Sequence, residues 1–219
     1  MDRFSYWAEF VNRNGIKSAV EVGVWKGDFA EAILSRCPGV RRYYLIDPWA
    51  KLSDWNKPLN TEALDRAYDE TLEKMAPFGD RVVVLRGRTA EVANKLPEVD
   101  FAYIDGDHTL RGITIDLLSI WPKIRQGGWL GGDDFTRTIW QHSGRYEPSL
   151  VFPFAVHFAE GVNAPITAVG GSQYVIEKVE GFEFRDSEKH YPSTELKHQL
   201  GLGSRLFSRF RQAAVSARR

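Results

Sequence analysis

Three carboxylates of this sequence follow two short apolar stretches. Asp105 comes directly after the stretch 99–104, and Asp133 and Asp134 come directly after the stretch 127–132. Each stretch is short enough to form one buried strand, and neighbouring parallel strands deliver their last residues to the same edge of a sheet. The three carboxylates would therefore lie together, where they repel one another unless a cation or a bound substrate separates them. We interpret them as ligands of a divalent metal ion such as Mg²⁺, which suits oxygen ligands, although Asp133 and Asp134 could also do no more than cap a turn.

Two histidines are candidates for a general base. His108 lies three residues after Asp105, and His142 lies in the polar and aromatic loop that follows Asp134. The unperturbed pKa of imidazole is about 6.5, so either side chain could accept a proton at working pH. The alternative for His108 is a bond to Asp107 or to the backbone that only fixes the loop, and Asp107 could equally cap the next helix. For His142 the alternative is a loop histidine without a role in chemistry.

Strands and helices alternate along the chain, and this pattern predicts the elements that would position the acids and histidines. Short buried runs alternate with segments of helical periodicity, which is typical of an α/β fold with a doubly wound, mostly parallel sheet. Two runs on either side of residues 170–172 predict an antiparallel hairpin at the edge of that sheet. The seven predicted strands occupy residues 19–23, 43–47, 81–85, 99–104, 129–132, 166–169 and 173–177.

Three local signals mark the boundaries of the predicted helices. Asp28 followed by Glu31 resembles a capping box at the start of the second helix. Thr89 could cap a short helix after the third strand, and Pro122 should kink the helix predicted over 109–125.

The chain is predicted to form one domain over residues 1–194, followed by a basic tail over residues 195–219. Its 219 residues are enough for one α/β domain with a sizeable core. In the tail, apolar residues lie among arginines, a pattern that resembles a basic amphipathic helix able to lie on an anionic membrane surface. Docking of the tail on its own domain, docking on a second subunit of a homo-oligomer and partial disorder are the alternatives.

Composition argues against several classes of protein. The chain carries 29 Lys+Arg and 29 Asp+Glu, so its formal charge is zero, which argues against nucleic acid or another polyanion as a partner. The single cysteine, Cys37, excludes an intramolecular disulfide and fits a reducing compartment. The sequence shows neither the pattern of a secretory signal nor an apolar run of about 20 residues, so we expect a cytoplasmic protein.

Two motifs resemble those of class I S-adenosylmethionine (SAM)-dependent methyltransferases. Residues 21–27, EVGVWKG, resemble the glycine-containing first motif of that family. Residues 103–108, YIDGDH, resemble a signature that follows the fourth strand in a group of small bacterial methyltransferases. The metal-dependent catechol and sugar O-methyltransferases are relatives of that group. The resemblance extends over residues 19–177 and implies SAM as the cofactor.

The resemblance also implies which residues contact the cofactor. In the family, an acid at the end of the second strand accepts hydrogen bonds from both ribose hydroxyls, and Asp47 holds that position here. Gly23 and Gly27 would let the backbone approach the methionyl part of the cofactor, which Glu21 would help to orient. The segment 88–90 would border the adenine. The full set of predicted cofactor contacts is Glu21, Gly23, Trp25, Gly27, Asp47, Arg88, Thr89 and Asp105.

For the reaction, the resemblance implies Mg²⁺-assisted methyl transfer to a hydroxyl of a small molecule or a glycosyl group. The metal-dependent relatives hold their metal at the positions of Asp105, Asp133 and Asp134, and catechol-type relatives place a lysine base at the position of His108. Many of the small bacterial methyltransferases with the signature described above carry a His-Asp pair after the fifth strand. Whether this chain uses a metal is therefore left open. A metal-independent enzyme with a histidine base and a non-catalytic cofactor-binding subunit are therefore alternatives. Aromatic residues of the loops could stack on the acceptor, and they are Trp49, Trp55, Phe135, Trp140, Tyr146 and Phe152.

Overall fold

The computed structural model describes residues 2–52, 60–140, 148–187 and 189–191. Within these residues the strands are β1 (Ser18–Val22), β2 (Arg42–Asp47), β3 (Val82–Arg86), β4 (Val99–Ile104), β5 (Ile124–Gly132), β6 (Ile166–Val169), β7 (Gln173–Glu177) and β8 (Phe184–Arg185). The α-helices are α1 (Arg3–Arg13), α2 (Asp28–Arg36), α3 (Thr61–Met75), α4 (Thr89–Val92), α5 (Leu110–Ile120) and α6 (Val151–Gly161). Short 3₁₀ segments occupy Ala76–Arg81, Ala93–Lys95 and Trp121–Lys123.

The strands form one sheet in the order β3-β2-β1-β4-β5-β7-β6-β8. Neighbours among β1 to β5 run parallel, and β7 runs antiparallel to both β5 and β6. The predicted doubly wound α/β fold with an antiparallel edge hairpin is therefore confirmed. In the described residues the sheet has eight strands rather than the seven predicted, because Phe184 and Arg185 pair in parallel with Ile166 and Thr167 of β6. A strand of two residues is too short to leave an alternating pattern in the sequence.

Helices cover both faces of the sheet. One core, which includes Trp7, lies under α1, α2 and α3, and the other, which includes Leu117, lies under α4, α5 and α6. Successive strand residues alternate between the two, so that Tyr103 belongs to the first core and Ile104 to the second. The parallel strands β1, β2 and β4 are thus mostly buried on both faces. The carboxyl ends of the parallel strands meet at one edge.

The N-caps of two helices lie one residue before the predicted positions. The N-cap of α2 is Gly27, in the left-handed region with a φ of 77°, so Asp28 is the first helical residue. The N-cap of α4 is Arg88, and Thr89 is the first helical residue. Pro122 lies in the 3₁₀ turn that follows α5 and does not kink the helix.

Several sequence predictions concern residues outside the described ranges. These residues are His142, Trp55, Tyr146 and the tail over 195–219, so their proposed roles stay predictions, as does the domain boundary at 194. Among the helices that the structure describes, none combines the length and the apolar character needed to cross a bilayer.

Candidate functional site

A cavity of about 520 Å³ lies at the carboxyl ends of β1, β2 and β4. This volume is in the range of small-molecule and cofactor sites, about 300–1,000 Å³. Glu21 and Gly27, both predicted to contact the cofactor, do not belong to its wall. The other predicted contacts all line it: Gly23, Trp25, Asp47, Arg88, Thr89 and Asp105.

Asp47 ends β2 and is held by two backbone amides. Its Oδ2 accepts a hydrogen bond from the N–H of Trp25 at 3.0 Å, and its Oδ1 accepts one from the N–H of Trp49 at 2.7 Å. Both tryptophans have positive φ, 54° and 39°, so the backbone bends around the carboxylate. Each carboxylate oxygen has a second lone pair, so a group oriented in this way can still accept hydrogen bonds from ligand hydroxyls.

Gly23 and Gly27 allow close packing of the chain on itself. Both have left-handed backbones, with φ of 86° and 77°. A Cβ atom at Gly23 would lie 2.2 Å from the carbonyl oxygen of Asp105, so this glycine lets the turn after β1 touch the end of β4. A Cβ atom at Gly27 would lie 3.2 Å from Cγ2 of Thr71 on α3. The structure therefore gives both glycines a packing role, and of the two only Gly23 also lines the cavity.

Glu21 is buried in β1, on the face of the sheet covered by α1 and α2. Its Oε2 accepts a hydrogen bond from the hydroxyl of Tyr43 at 3.0 Å. Burial raises the pKa of Glu21 well above its ordinary value, the nearby Asp105 adds to the rise, and Tyr43 and Arg3 oppose it. These surroundings favour the protonated carboxyl group, which can donate one hydrogen bond as well as accept others.

Asp116 on α5 also lines the cavity, although it was not among the predicted site residues. Burial raises the pKa of Asp116 to about 7, the hydrogen bond with Thr89 opposes the rise, and Asp107 adds to it. Its spacing of three residues from Ile113 and four from Ile120 places Asp116 on the apolar stripe of α5. An acid on an apolar stripe is a signal that could have identified it from the sequence.

Beside the cavity, Asp105, His108 and Asp134 bring possible ligand atoms within 4.8 Å of one another. Nδ1 of His108 lies 2.5 Å from Oδ2 of Asp134, and its Nε2 lies 3.6 Å from Oδ1 of Asp105. The backbone carbonyl of His108 accepts a hydrogen bond from the N–H of Leu150 at 2.9 Å, which ties this loop to the start of α6. An imidazole between two carboxylates can carry a proton towards one of them and present its other nitrogen to a reacting group.

Asp133, the third predicted metal ligand, is bound by two other side chains. Arg3 forms an ion pair with Asp133, and its Nη1 also lies 3.0 Å from Oδ2 of Asp105. The amide nitrogen of Gln173 donates a hydrogen bond to Oδ1 of Asp133. Burial and the neighbouring Asp105 raise the pKa of Asp133, and Arg3 opposes this rise. Of the three predicted metal ligands, Asp134 therefore contacts His108 and Asp133 contacts Arg3. Asp105 lies near both of these partners.

Arg3 and Gln173 were not predicted as site residues because each lies far from the acids along the chain. Arg3 is 130 residues from Asp133, on a helix whose pattern shows only that it is amphipathic. Gln173 is 40 residues from Asp133, at the start of a strand that was predicted for its apolar residues. No local pattern in the sequence signals either contact.

The aromatic residues predicted near an acceptor divide into two groups. Trp49, Phe135 and Phe152 are at most 1% exposed and belong to the core. Trp140 is half-buried. Trp25, which was not in that set, lines the cavity and is 37% exposed.

The sequence matches a known family. Residues 20–135, more than half of the chain, match the family model described as a methyltransferase domain. A comparison of the sequence with curated proteins gave no match.

The fold is similar to those of solved methyltransferases. The SAH-bound methyltransferase PaMTH1 from Podospora anserina is 14% identical, with 81% of this chain and 78% of that chain covered and a TM-score of 0.60. The O-methyltransferase from Bacillus cereus in complex with SAH is 17% identical, with 80% of each chain covered and a TM-score of 0.57. The O-methyltransferase TomG from Streptomyces achromogenes in complex with SAM is 13% identical, with 82% and 80% covered and a TM-score of 0.56. The predicted methyltransferase fold is confirmed, and at these identities the likeness concerns the fold alone.

Proposed function

Because the chain belongs to a family of methyltransferase domains, we propose that it transfers the methyl group of SAM to a hydroxyl oxygen. The acceptor would be a small molecule or a glycosyl group. The observation that carries the proposal is the double position of Asp105, which lines the cavity and also faces both His108 and Arg3. The acidic edge is the part of the sheet edge formed by Asp105, Asp133 and Asp134. A cofactor in the cavity and an acceptor at the acidic edge would meet at Asp105.

In the proposed complex, SAM occupies the cavity at the ends of β1, β2 and β4. Asp47 would face the ribose hydroxyls, because its carboxylate is already fixed by two backbone amides. Thr89 and Asp116 would lie at the adenine, since both line the part of the wall formed by α4 and α5. The turn at Gly23 would border the methionyl part and the sulfonium.

Methyl transfer needs a base for the proton of the acceptor. The acceptor oxygen forms a bond to the methyl carbon while the carbon–sulfur bond breaks, which leaves S-adenosylhomocysteine (SAH). An alcohol is a weak nucleophile until its proton is removed, and we propose that His108 removes it. Asp134, 2.5 Å from Nδ1, would hold the imidazole with the proton on Nδ1, so that Nε2 can accept the proton of the hydroxyl. Asp134 would then be a positioning residue.

A divalent cation such as Mg²⁺ is the alternative means of activating the acceptor. The residues that could hold it are Asp105, His108 and Asp134, a different set from the predicted Asp105, Asp133 and Asp134. Two carboxylates suit Mg²⁺, whereas an imidazole nitrogen suits transition metals better. A bound cation would lower the pKa of the acceptor hydroxyl. An imidazole that binds the metal cannot also take the proton, so the metal and the histidine base are alternative mechanisms.

The test combines transfer of label from methyl-tritiated SAM to a panel of hydroxyl acceptors with calorimetric titration of SAH. We expect His108→Gln to lower turnover roughly 10²–10⁴-fold, the usual contribution of a general base, with unchanged affinity for SAH. His157→Gln on the exposed side of α6 is the matched control and should keep full activity.

Treatment with EDTA separates the two mechanisms. Activity that survives EDTA supports the histidine base, and activity that is lost and then restored by Mg²⁺ supports the metal. A chain that binds SAH but methylates no acceptor would favour the cofactor-binding subunit. A chain without affinity for SAH would contradict the proposal.

A further inference from the structure

The guanidinium of Arg3 is a cation that contacts two carboxylates of the acidic edge. Its Nη1 lies 3.0 Å from Oδ2 of Asp105 and also forms an ion pair with Asp133. The guanidinium lies over the rings of Phe4 and Phe29, 5.2 and 5.8 Å from their centroids, and the side chain is 33% exposed. A partly enclosed cation between two carboxylates is attracted more strongly than one at an open surface.

Helix α1 is fixed on the sheet by contacts other than that ion pair. Trp7, one turn after Arg3, is fully buried and lies so close to Gly131 that a Cβ atom there would be 2.1 Å from its ring. The indole N–H of Trp7 donates a hydrogen bond to Oε1 of Gln173 at 2.9 Å, and the amide nitrogen of Gln173 donates to Asp133. Two residues of α1 therefore act on the same carboxylate, Arg3 directly and Trp7 through Gln173.

We infer that the guanidinium of Arg3 compensates the negative charge of the acidic edge and competes with a divalent metal ion for Asp105. A metal ion among Asp105, His108 and Asp134 would share the Asp105 carboxylate with the guanidinium, and repulsion between the two cations would weaken metal binding. Arg3 is therefore a positioning residue, which holds Asp105 at the wall of the cavity.

One consequence rests on the proposed function. If the chain is a methyltransferase, the wild-type protein transfers methyl groups without an added divalent metal, because Arg3 already compensates Asp105 and Asp133. The metal affinity itself can be measured without any acceptor.

Titration of the full chain with Mn²⁺, followed by electron paramagnetic resonance of the unbound ion, tests the inference. Arg3→Met keeps a long apolar side chain over the two phenylalanine rings and removes the charge. We expect it to bind Mn²⁺ at least about tenfold more tightly than the wild type, because the competing cation is gone. Asp105→Asn in the Arg3→Met background should abolish the gain.

Two further variants control this measurement. Arg13→Met removes a guanidinium from the last turn of the same helix, where it lies 6.0 Å from the ring centroid of Phe10, and should bind Mn²⁺ as the wild type does. Arg3→Gln repeats the loss of charge with a polar side chain, so that a folding defect in Arg3→Met does not decide the outcome. Circular dichroism confirms that each variant is folded.

Equal Mn²⁺ affinity in the wild type and in the folded Arg3 variants would overturn the inference. A gain that survives Asp105→Asn would overturn it as well, since the metal would then bind elsewhere. Failure to methylate any acceptor would count against the proposed function only, because the Mn²⁺ titration does not depend on turnover.

Discussion

The cofactor cavity and the acidic edge share Asp105, yet the chain builds them in different ways. In the cavity, Asp47 is held by backbone amides 2 and 22 residues away. At the acidic edge, Arg3 reaches Asp133 across 130 residues. The cavity is therefore a product of the turns that follow individual strands, whereas the acidic edge depends on where α1 docks on the sheet.

The two regions also neutralise buried carboxyl groups by different means. Burial raises the pKa of Asp116 in the cavity wall to about 7, so this group accepts a proton close to neutral pH. Asp133 at the acidic edge instead faces the guanidinium of Arg3 and the amide of Gln173. A guanidinium keeps its charge across the physiological range. The cavity should therefore respond to pH and the acidic edge to substitutions in α1.

Gly23→Ala changes the point where the two regions meet, and we expect it to have the largest effect. The new Cβ atom would lie 2.2 Å from the carbonyl oxygen of Asp105, and the φ of 86° disfavours any side chain. Left-handed strain and overpacking together should lower the free energy of unfolding by roughly 2–5 kcal/mol. Urea denaturation measures this loss, and calorimetry should show that SAH binding is also lost.

Gly170→Ala is the matched control for that variant. Its Cβ atom would meet nothing within 4 Å, so the stability should change by less than about 1 kcal/mol. If Gly23→Ala proved as mild as this control, the close contact between the turn after β1 and the end of β4 would not hold the two regions together.

Asp116→Asn tests the pH response of the cavity. The folded-state pKa of about 7 exceeds the ordinary value of 3.8, so between these two values the folded protein binds more protons than the unfolded chain. The stability of the wild type should therefore fall as pH rises through this window, by up to roughly 4 kcal/mol. Asp116→Asn carries no titrating group here, so it should gain on the wild type from pH 4 to pH 8.

The measurement is the difference in unfolding free energy between wild type and variant at each pH, since other titrating groups cancel in that difference. Asp69→Asn on the exposed side of α3 removes the same type of carboxylate away from the cavity and serves as the matched control. A pH-independent difference for Asp116→Asn would show that Asp116 is charged in the folded protein.

Much of the cavity could be predicted from the sequence because its residues follow strands. Asp47 and Asp105 each end an apolar run whose length specifies a buried strand, and parallel strands bring such ends to one edge. The left-handed backbone of Gly27 was not predicted, since an acid at the next position gave a plausible cap of its own. Strand β8 was not predicted because a strand of two residues is too short to show an alternating apolar pattern.

The acidic edge could be predicted only in part, for a different physical reason. The sequence places three carboxylates at strand ends, but no residue near them in the sequence indicates which cation compensates their charge. The amphipathic pattern of α1 shows that Trp7 faces the core, yet the position of the helix along the sheet depends on packing against Gly131 and Gln173. Only that docking brings Arg3 to Asp133, so the division of the carboxylates between Arg3 and His108 emerges with the tertiary structure.

The smallest expected effect concerns the link from Trp7 to Asp133. Trp7→Phe removes the indole N–H that donates to Gln173, whereas the hydroxyl of Tyr103 still donates to the same amide oxygen at 2.7 Å. We expect a loss of about 1–2 kcal/mol from the missing bond and ring volume. The affinity for SAH should stay unchanged, because Gly131 and Gln173, which Trp7 contacts, do not line the cavity.

Combination of Trp7→Phe with Arg3→Met then measures whether the acidic edge behaves as one unit. Both residues act on Asp133, so their effects on the free energy of unfolding should be non-additive by about 0.5–1 kcal/mol. Urea denaturation of the two single variants and the double variant gives this coupling. Strict additivity would mean that α1 contacts the edge at two independent points, and weaker SAH binding in Trp7→Phe would mean that the cavity also depends on α1. Non-additivity with intact SAH binding is the result that a cavity built locally and an edge built by helix docking require.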